Sequence, residues 1–199
     1  MSVTVVGRWQ VEATGQGRFA PARQELTSHL GRPTARLSAR VLQAIDDPSI
    51  LLYLSEWEDR ASFEHFRDNA GVGTLEAALR TRGEIIICER LLFFGNYTYR
   101  AAVTGCAIID APLASSDAVR DVMLPDGRWV MHGLPGLVHY TVYREVTHLR
   151  RLIFVNGWQS IDNIRTLDER VEPTERELAR LGANVTRFLG FDLAVTDLD

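Results

Sequence analysis

The chain has 199 residues, 46% of them apolar, with 8 Phe, 5 Tyr and 4 Trp, enough to bury one large core or two small ones and too apolar for a disordered chain. The formal charge is −4 and all 22 basic residues are arginine, which excludes Schiff-base, pyridoxal-phosphate and P-loop lysine chemistry. Eleven arginines face 12 acids in residues 1–95 and 11 face 14 in residues 96–199, so neither half has the basic excess that holding a nucleic-acid backbone requires.

In chain order, Val3 to Ala13 is strand-like and stops at Thr14-Gly15-Gln16-Gly17. A helix is predicted next, with Phe19, Arg23, Leu26 and Leu30 at helical spacing, Pro21 in its first turn, and Gly31 and Pro33 at its end. Residues 35–45 and 50–57 read as a hairpin around Asp46-Asp47-Pro48-Ser49. A second helix starts near Asp59, which can cap it, carries Phe63 and Phe66 on one face, and is punctuated at Asn69-Ala70-Gly71-Val72-Gly73. The run 84–94 is too apolar for a one-sided strand and is expected to be covered on both faces. The order β-α-β-β-α-β is that of a ferredoxin-like domain.

The second half repeats this order. Leu51-Leu52-Tyr53-Leu54-Ser55-Glu56-Trp57 aligns with Leu152-Ile153-Phe154-Val155-Asn156-Gly157-Trp158 at a constant offset of 101. Strands are expected near 98–109, 137–147, 151–158 and 186–195. The first helix of this half, about 115–133, is interrupted by Leu124-Pro125-Asp126-Gly127, and the second is expected to break at Glu172-Pro173-Thr174. The predicted fold class is therefore α+β, with one ferredoxin-like repeat over 1–96 and another over 97–199. Cys88 and Cys106 lie in apolar runs without C-x-x-C spacing and read as buried free thiols. No apolar stretch approaches ~18 residues and no secretory leader pattern opens the chain, so a cytoplasmic protein with no membrane partner is expected.

Asp47-Pro48, then Leu51 to Trp57, then Glu58-Asp59-Arg60-Ala61-Ser62-Phe63-Glu64-His65-Phe66, resembles the antibiotic biosynthesis monooxygenase family: a hairpin turn, a strand ending in tryptophan, and a helix carrying a histidine. The family includes quinone-forming monooxygenases of aromatic polyketide pathways, haem-degrading enzymes, polyketide cyclases and stress-response proteins. Its members usually form dimers whose sheets close into an α+β barrel. The resemblance therefore implies an intramolecular barrel, a pseudo-dimer, and leaves a further homodimer open. It also implies a pocket between the sheet and the two helices of a repeat.

Period-2 alternation puts Phe154, Asn156 and Trp158 on one face of their strand. Asn156 reads either as a carboxamide that stabilises a developing oxyanion or as a turn amide at the strand end. Trp57 and Trp158 match the family's tryptophan and read as core packing or as substrate positioning. His132 and His139 are the candidate bases, with Tyr143 and Trp129 as candidate walls. His65, His29 and His148 are assigned to the surface. The five histidines show no metal-ligand spacing, so no metal is expected.

These readings point to an oxygenase that brings molecular oxygen to a small polycyclic aromatic substrate. It would work either without a cofactor or with reduced flavin supplied by a flavin reductase. A polyketide cyclase and a non-catalytic ligand-binding or stress-response protein are the alternatives. Haem degradation ranks last, because no histidine matches a haem ligand.

Overall fold

A computed structural model describes residues 2–10, 35–44, 47, 49–69, 73, 76, 83–95, 101–123 and 134–192. The predicted first helix of the first half lies outside them, as do His29, Trp129 and His132. The chain divides into two compact units, Met1–Cys88 with Gly190–Asp199, and Glu89–Leu189.

The first unit holds β1 (Val3–Gln10), β2 (Arg36–Ala44), β3 (Ile50–Trp57), α1 (Arg60–Asp68) and the start of β4 (Glu84–Gly95). β1 lies between β3 and β4, and β3 lies between β1 and β2, all antiparallel. The resulting order, β4-β1-β3-β2, is ferredoxin-like. At the free edge of β2, Leu42, Gln43 and Ala44 pair with Asp192, Phe191 and Gly190 at the end of the chain's last strand.

Short polar side chains set the connections. Asp47 turns the β2–β3 hairpin by accepting from the Ser49 backbone at 3.0 Å and the Ser49 hydroxyl at 2.5 Å. Those two bonds hold its carboxyl below the ordinary range. Asp59 caps α1 by accepting from the Ser62 amide at 2.8 Å, and Asn69 closes the helix through the His65 carbonyl. Phe63 turns inward and is fully buried, while His65 on the opposite side is exposed.

The second unit repeats the plan. It holds β5 (Val103–Asp110), a 3-10 turn at Leu113–Ser115, α2 (Ser116–Met123), β6 (Leu137–Glu145), β7 (Arg151–Trp158), α3 (Ile161–Arg180) and most of β8 (Asn184–Asp192). β7 pairs with β5 and β6, giving β8-β5-β7-β6, with the end of β4 beside β6. Val119 and Met123 of α2 and Leu178 of α3 pack with Ile109, Val142, Leu152, Phe154 and Trp158 of the sheet.

The two units agree in register as well as in order. Val3 faces Trp57 across β1–β3, and Val103 faces Trp158 across β5–β7. Both hairpins also carry a bulge at the same place, between Arg36 and Ser38 in the first and between Leu137 and His139 in the second. The segments 51–57 and 152–158 thus occupy equivalent positions.

Two expectations are corrected. Pro173 does not break the last helix, which runs from Ile161 to Arg180. A proline removes one backbone hydrogen bond, but this one is exposed, while Val171 and Leu178 on either side of it are buried and keep the helix on its sheet. Nor is β4 covered on both faces throughout. Ile86, Ile87 and Cys88 are buried, whereas Leu91 and Phe94 are more than a third exposed, so its apolar content exceeds what its neighbours cover. Among the described residues, no helix is long and apolar enough to cross a membrane.

Candidate functional site

β7 ends in Asn156-Gly157-Trp158, and alternation sends Asn156 and Trp158 to the same side as Phe154, toward α2 and α3. Trp158 is fully buried. Its Nε1 donates to Asn156 Oδ1 at 2.5 Å. The indole N–H can only donate, so this bond decides which end of the amide is which. Oδ1 is occupied and Nδ2 remains a donor. Across the ladder, Asn156 stands opposite Gly105 on β5 and Tyr140 on β6. A Cβ on residue 105 would lie 2.3 Å from Asn156 Oδ1, so glycine there is what makes room for the carboxamide. Tyr140 stacks on Phe94 at 5.4 Å between ring centroids and 25° between planes. Burial pushes its phenol above the ordinary value, so it keeps its proton at neutral pH.

The predicted constellation is brought together in part. Phe154, Asn156 and Trp158 share one face, as alternation required. His139 and Tyr143 do not join them: His139 is paired with Gly157 and Tyr143 with Ile153, on the other face of the sheet. A Cβ on residue 157 would lie 2.5 Å from His139 Nε2, which places the imidazole firmly behind Asn156. The cause is the bulge before His139. It breaks the alternation, so Leu137 packs toward the helices with Trp158 while His139, two residues on, turns the other way. His132 and Trp129 lie outside the described residues. Tyr140, Phe94 and Gly105 are members that sequence reading missed, and no pattern in residues 137–145 marks the bulge that selects Tyr140 over His139.

The first unit carries the same strand end with different chemistry. Trp57 is fully buried, meets Phe63 edge-on at 5.6 Å and Phe66 at 5.0 Å, and donates through Nε1 to Ser55 Oγ at 2.9 Å. Ser55 therefore stands where Asn156 stands in the second unit, and Tyr53 where Phe154 stands. A hydroxyl in place of a carboxamide leaves one proton to donate and no amide plane.

Both units are thus ferredoxin-like domains in which a tryptophan at a strand end is tied back to a polar side chain two residues earlier. Residues 2–77 match the antibiotic biosynthesis monooxygenase family, and this part of the chain is a domain of that family. Among solved structures, the chain is similar to an anthrone oxidase-like protein at 13% identity and a TM-score of 0.76, over 97% of this chain and 92% of the other. It is also similar to a monooxygenase-like protein of Listeria innocua at 12% identity and 0.59, over 96% and 95%. A haem-degrading enzyme of Listeria monocytogenes aligns at 11% identity and 0.52, over 96% and 99%. Identities this low speak for the fold alone. No curated protein matches the chain in sequence.

Proposed function

We propose that the protein is an oxygenase that brings molecular oxygen to a polycyclic aromatic phenol or anthrone, of the polyketide type, against Asn156 in the second unit. The observation that carries this reading is the Trp158–Asn156 hydrogen bond. It fixes a carboxamide donor in a site otherwise built from Phe154, Tyr140, Phe94 and Trp158, where a flat aromatic molecule finds apolar contact. As an electron-rich phenol gives up its electrons to oxygen, negative charge collects on oxygen. Asn156 Nδ2 and the Tyr140 hydroxyl are donors suited to that charge, and they need no reorganisation when it forms. In the balanced reaction a substrate methylene becomes a carbonyl with one oxygen atom, and the other leaves as water with the two hydrogens. The imidazole of His139, on the opposite face, takes no part in this scheme.

Oxygen uptake tests the proposal, measured with anthrone and hydroquinone substrates, with and without reduced flavin and a flavin reductase. Uptake without flavin is expected. Uptake only with reduced flavin would assign the electrons to an external donor. No uptake under either condition would overturn the reading.

A further inference from the structure

The hairpins of the two units are closed by the same bond but carry opposite chemistry. In the first, the Ile50 amide donates to the Asp47 carbonyl at 2.9 Å; in the second, the Arg151 amide donates to the His148 carbonyl at 2.9 Å. The offset of 101 sets Thr147-His148-Leu149-Arg150 on Asp46-Asp47-Pro48-Ser49. Acids, proline and serine are ordinary turn residues, and Asp47 uses its carboxylate to hold Ser49. Leucine offers a turn no such bond, yet Leu149 occupies this one and is 61% exposed.

A second leucine projects from the same end of the second unit. The β5–β7 ladder finishes at Asp110 and Arg151, and one further bond, from the Ala111 amide to the Arg150 carbonyl at 3.1 Å, sets the start of the 3-10 turn beside the hairpin. Leu113, in that turn, is 81% exposed, which makes it and Leu149 the two most exposed large apolar side chains among the described residues. The turn is held in place: the Ser115 amide donates to the Pro112 carbonyl at 3.0 Å, and the Ser115 hydroxyl donates to the Leu181 carbonyl, at the end of α3, at 2.9 Å. Leu113 is therefore presented to the outside by a fixed backbone.

The charge around the two leucines has one sign. Residues 111–116 and 146–150 contain no acid, in a chain that carries 26 of them. The flanking acids each face an arginine: Asp110 and Glu145 lie 2.7 Å and 3.4 Å from Arg151, and Asp117 lies 3.1 Å from Arg120. Arg150 and His148 are exposed beside Leu149. Side chains this exposed stand out from the surface and line no groove, so what receives them must be deformable and apolar, and must bear negative charge at its boundary. We propose that this end of the second unit docks on an anionic phospholipid surface, with Leu113 and Leu149 entering the boundary between headgroups and acyl chains and Arg150 meeting lipid phosphates. The expectation of no membrane partner came from the lack of a spanning segment, which docking of this kind does not need. This surface lies apart from Asn156, and its role is independent of the oxygenase reading.

The test is co-sedimentation of the intact protein with vesicles of phosphatidylglycerol and phosphatidylcholine in equal parts, beside vesicles of phosphatidylcholine alone and beside capture on immobilised poly-glutamate, an acidic polypeptide without lipid. Binding to the anionic vesicles alone is expected, falling as salt is raised. It should weaken about tenfold or more when Leu113→Ser and Leu149→Ser are combined, since two apolar side chains then stay in water, and about fivefold in Arg150→Gln. The thermal midpoint of the double variant is expected to hold, because both leucines are exposed. Absence of binding to anionic vesicles would overturn the proposal, as would binding that the double variant retains in full. So would capture on poly-glutamate without vesicle binding, which would give the patch to an acidic protein. A dimer in light scattering that the double variant dissociates, with no vesicle binding, would give it to a second copy of the chain and overturn the proposal equally.

Discussion

At the scale of single residues, the two units differ at the side chain that receives the tryptophan N–H. Replacing Asn156 with serine copies the first unit's arrangement, in which Ser55 accepts from Trp57, so the fold should tolerate it. The amide donor is lost, however. Turnover in the oxygen-uptake assay is expected to fall about 10²–10³-fold, the range for deleting one oxyanion donor, with little change in thermal midpoint. Unchanged turnover would remove Asn156 from the chemistry. His139→Gln, behind the sheet, is expected to leave turnover within about threefold once folding is matched, a far smaller loss than removing a general base produces.

Cys106 makes a residue-scale prediction of another kind. Complete burial pushes its thiol from an ordinary 9.0 up to about 12. The unfolded chain then releases its proton at a pH where the folded chain still holds it, so stability is unaffected below about pH 9 and falls as pH rises toward 12. The loss at pH 10.5 is on the order of 2 kcal/mol. Urea midpoints at pH 8 and 10.5 should differ less in Cys106→Val than in the parent. Tyr53 and Tyr140, both raised by burial, act in the same direction at higher pH.

At the scale of elements, much of the fold was legible because local chemistry fixes it. Asp47 and Ser49 make the β2–β3 turn, and Asp59 starts α1. What misled was a local penalty outweighed by packing. Pro173 reads as a breaker, but α3 is held on the sheet by Val171 and Leu178, so the cost is absorbed and the helix continues. Pro173→Ala is accordingly expected to raise the unfolding free energy, by as much as about 3 kcal/mol if the missing hydrogen bond forms. A lower thermal midpoint would show that the proline fits a bend the helix needs. The bulge before His139 was not legible. A strand shows two faces by alternation, but whether one residue is skipped depends on what the neighbouring strand offers.

At the scale of the whole molecule, the sequence halves and the compact units do not coincide. β4 begins in the first unit, and its second half belongs to the second, where Glu89 bonds Arg144 and Phe94 stacks on Tyr140. β8 ends in the first unit, where Gly190–Asp192 complete the edge of β2. A fragment of residues 1–96 would therefore lose the partner of Glu89–Gly95 and expose the β2 edge. Strand edges of this kind recruit other chains. The fragment is expected to dimerise or aggregate, whereas a stable monomer in light scattering at micromolar concentration would contradict that.

The α+β class, the duplicated order of elements and the equivalence of 51–57 with 152–158 follow from patterns local to the chain: spacing of apolar residues, turn chemistry and a fixed offset. Those signals act over a few residues and need no knowledge of neighbours. Which side chains share a site was decided by pairing across strands. One skipped residue in β6 sent His139 away from Asn156 and brought Tyr140 to it. Only the register within the β6–β7 hairpin, which alternation along one strand does not fix, could settle that.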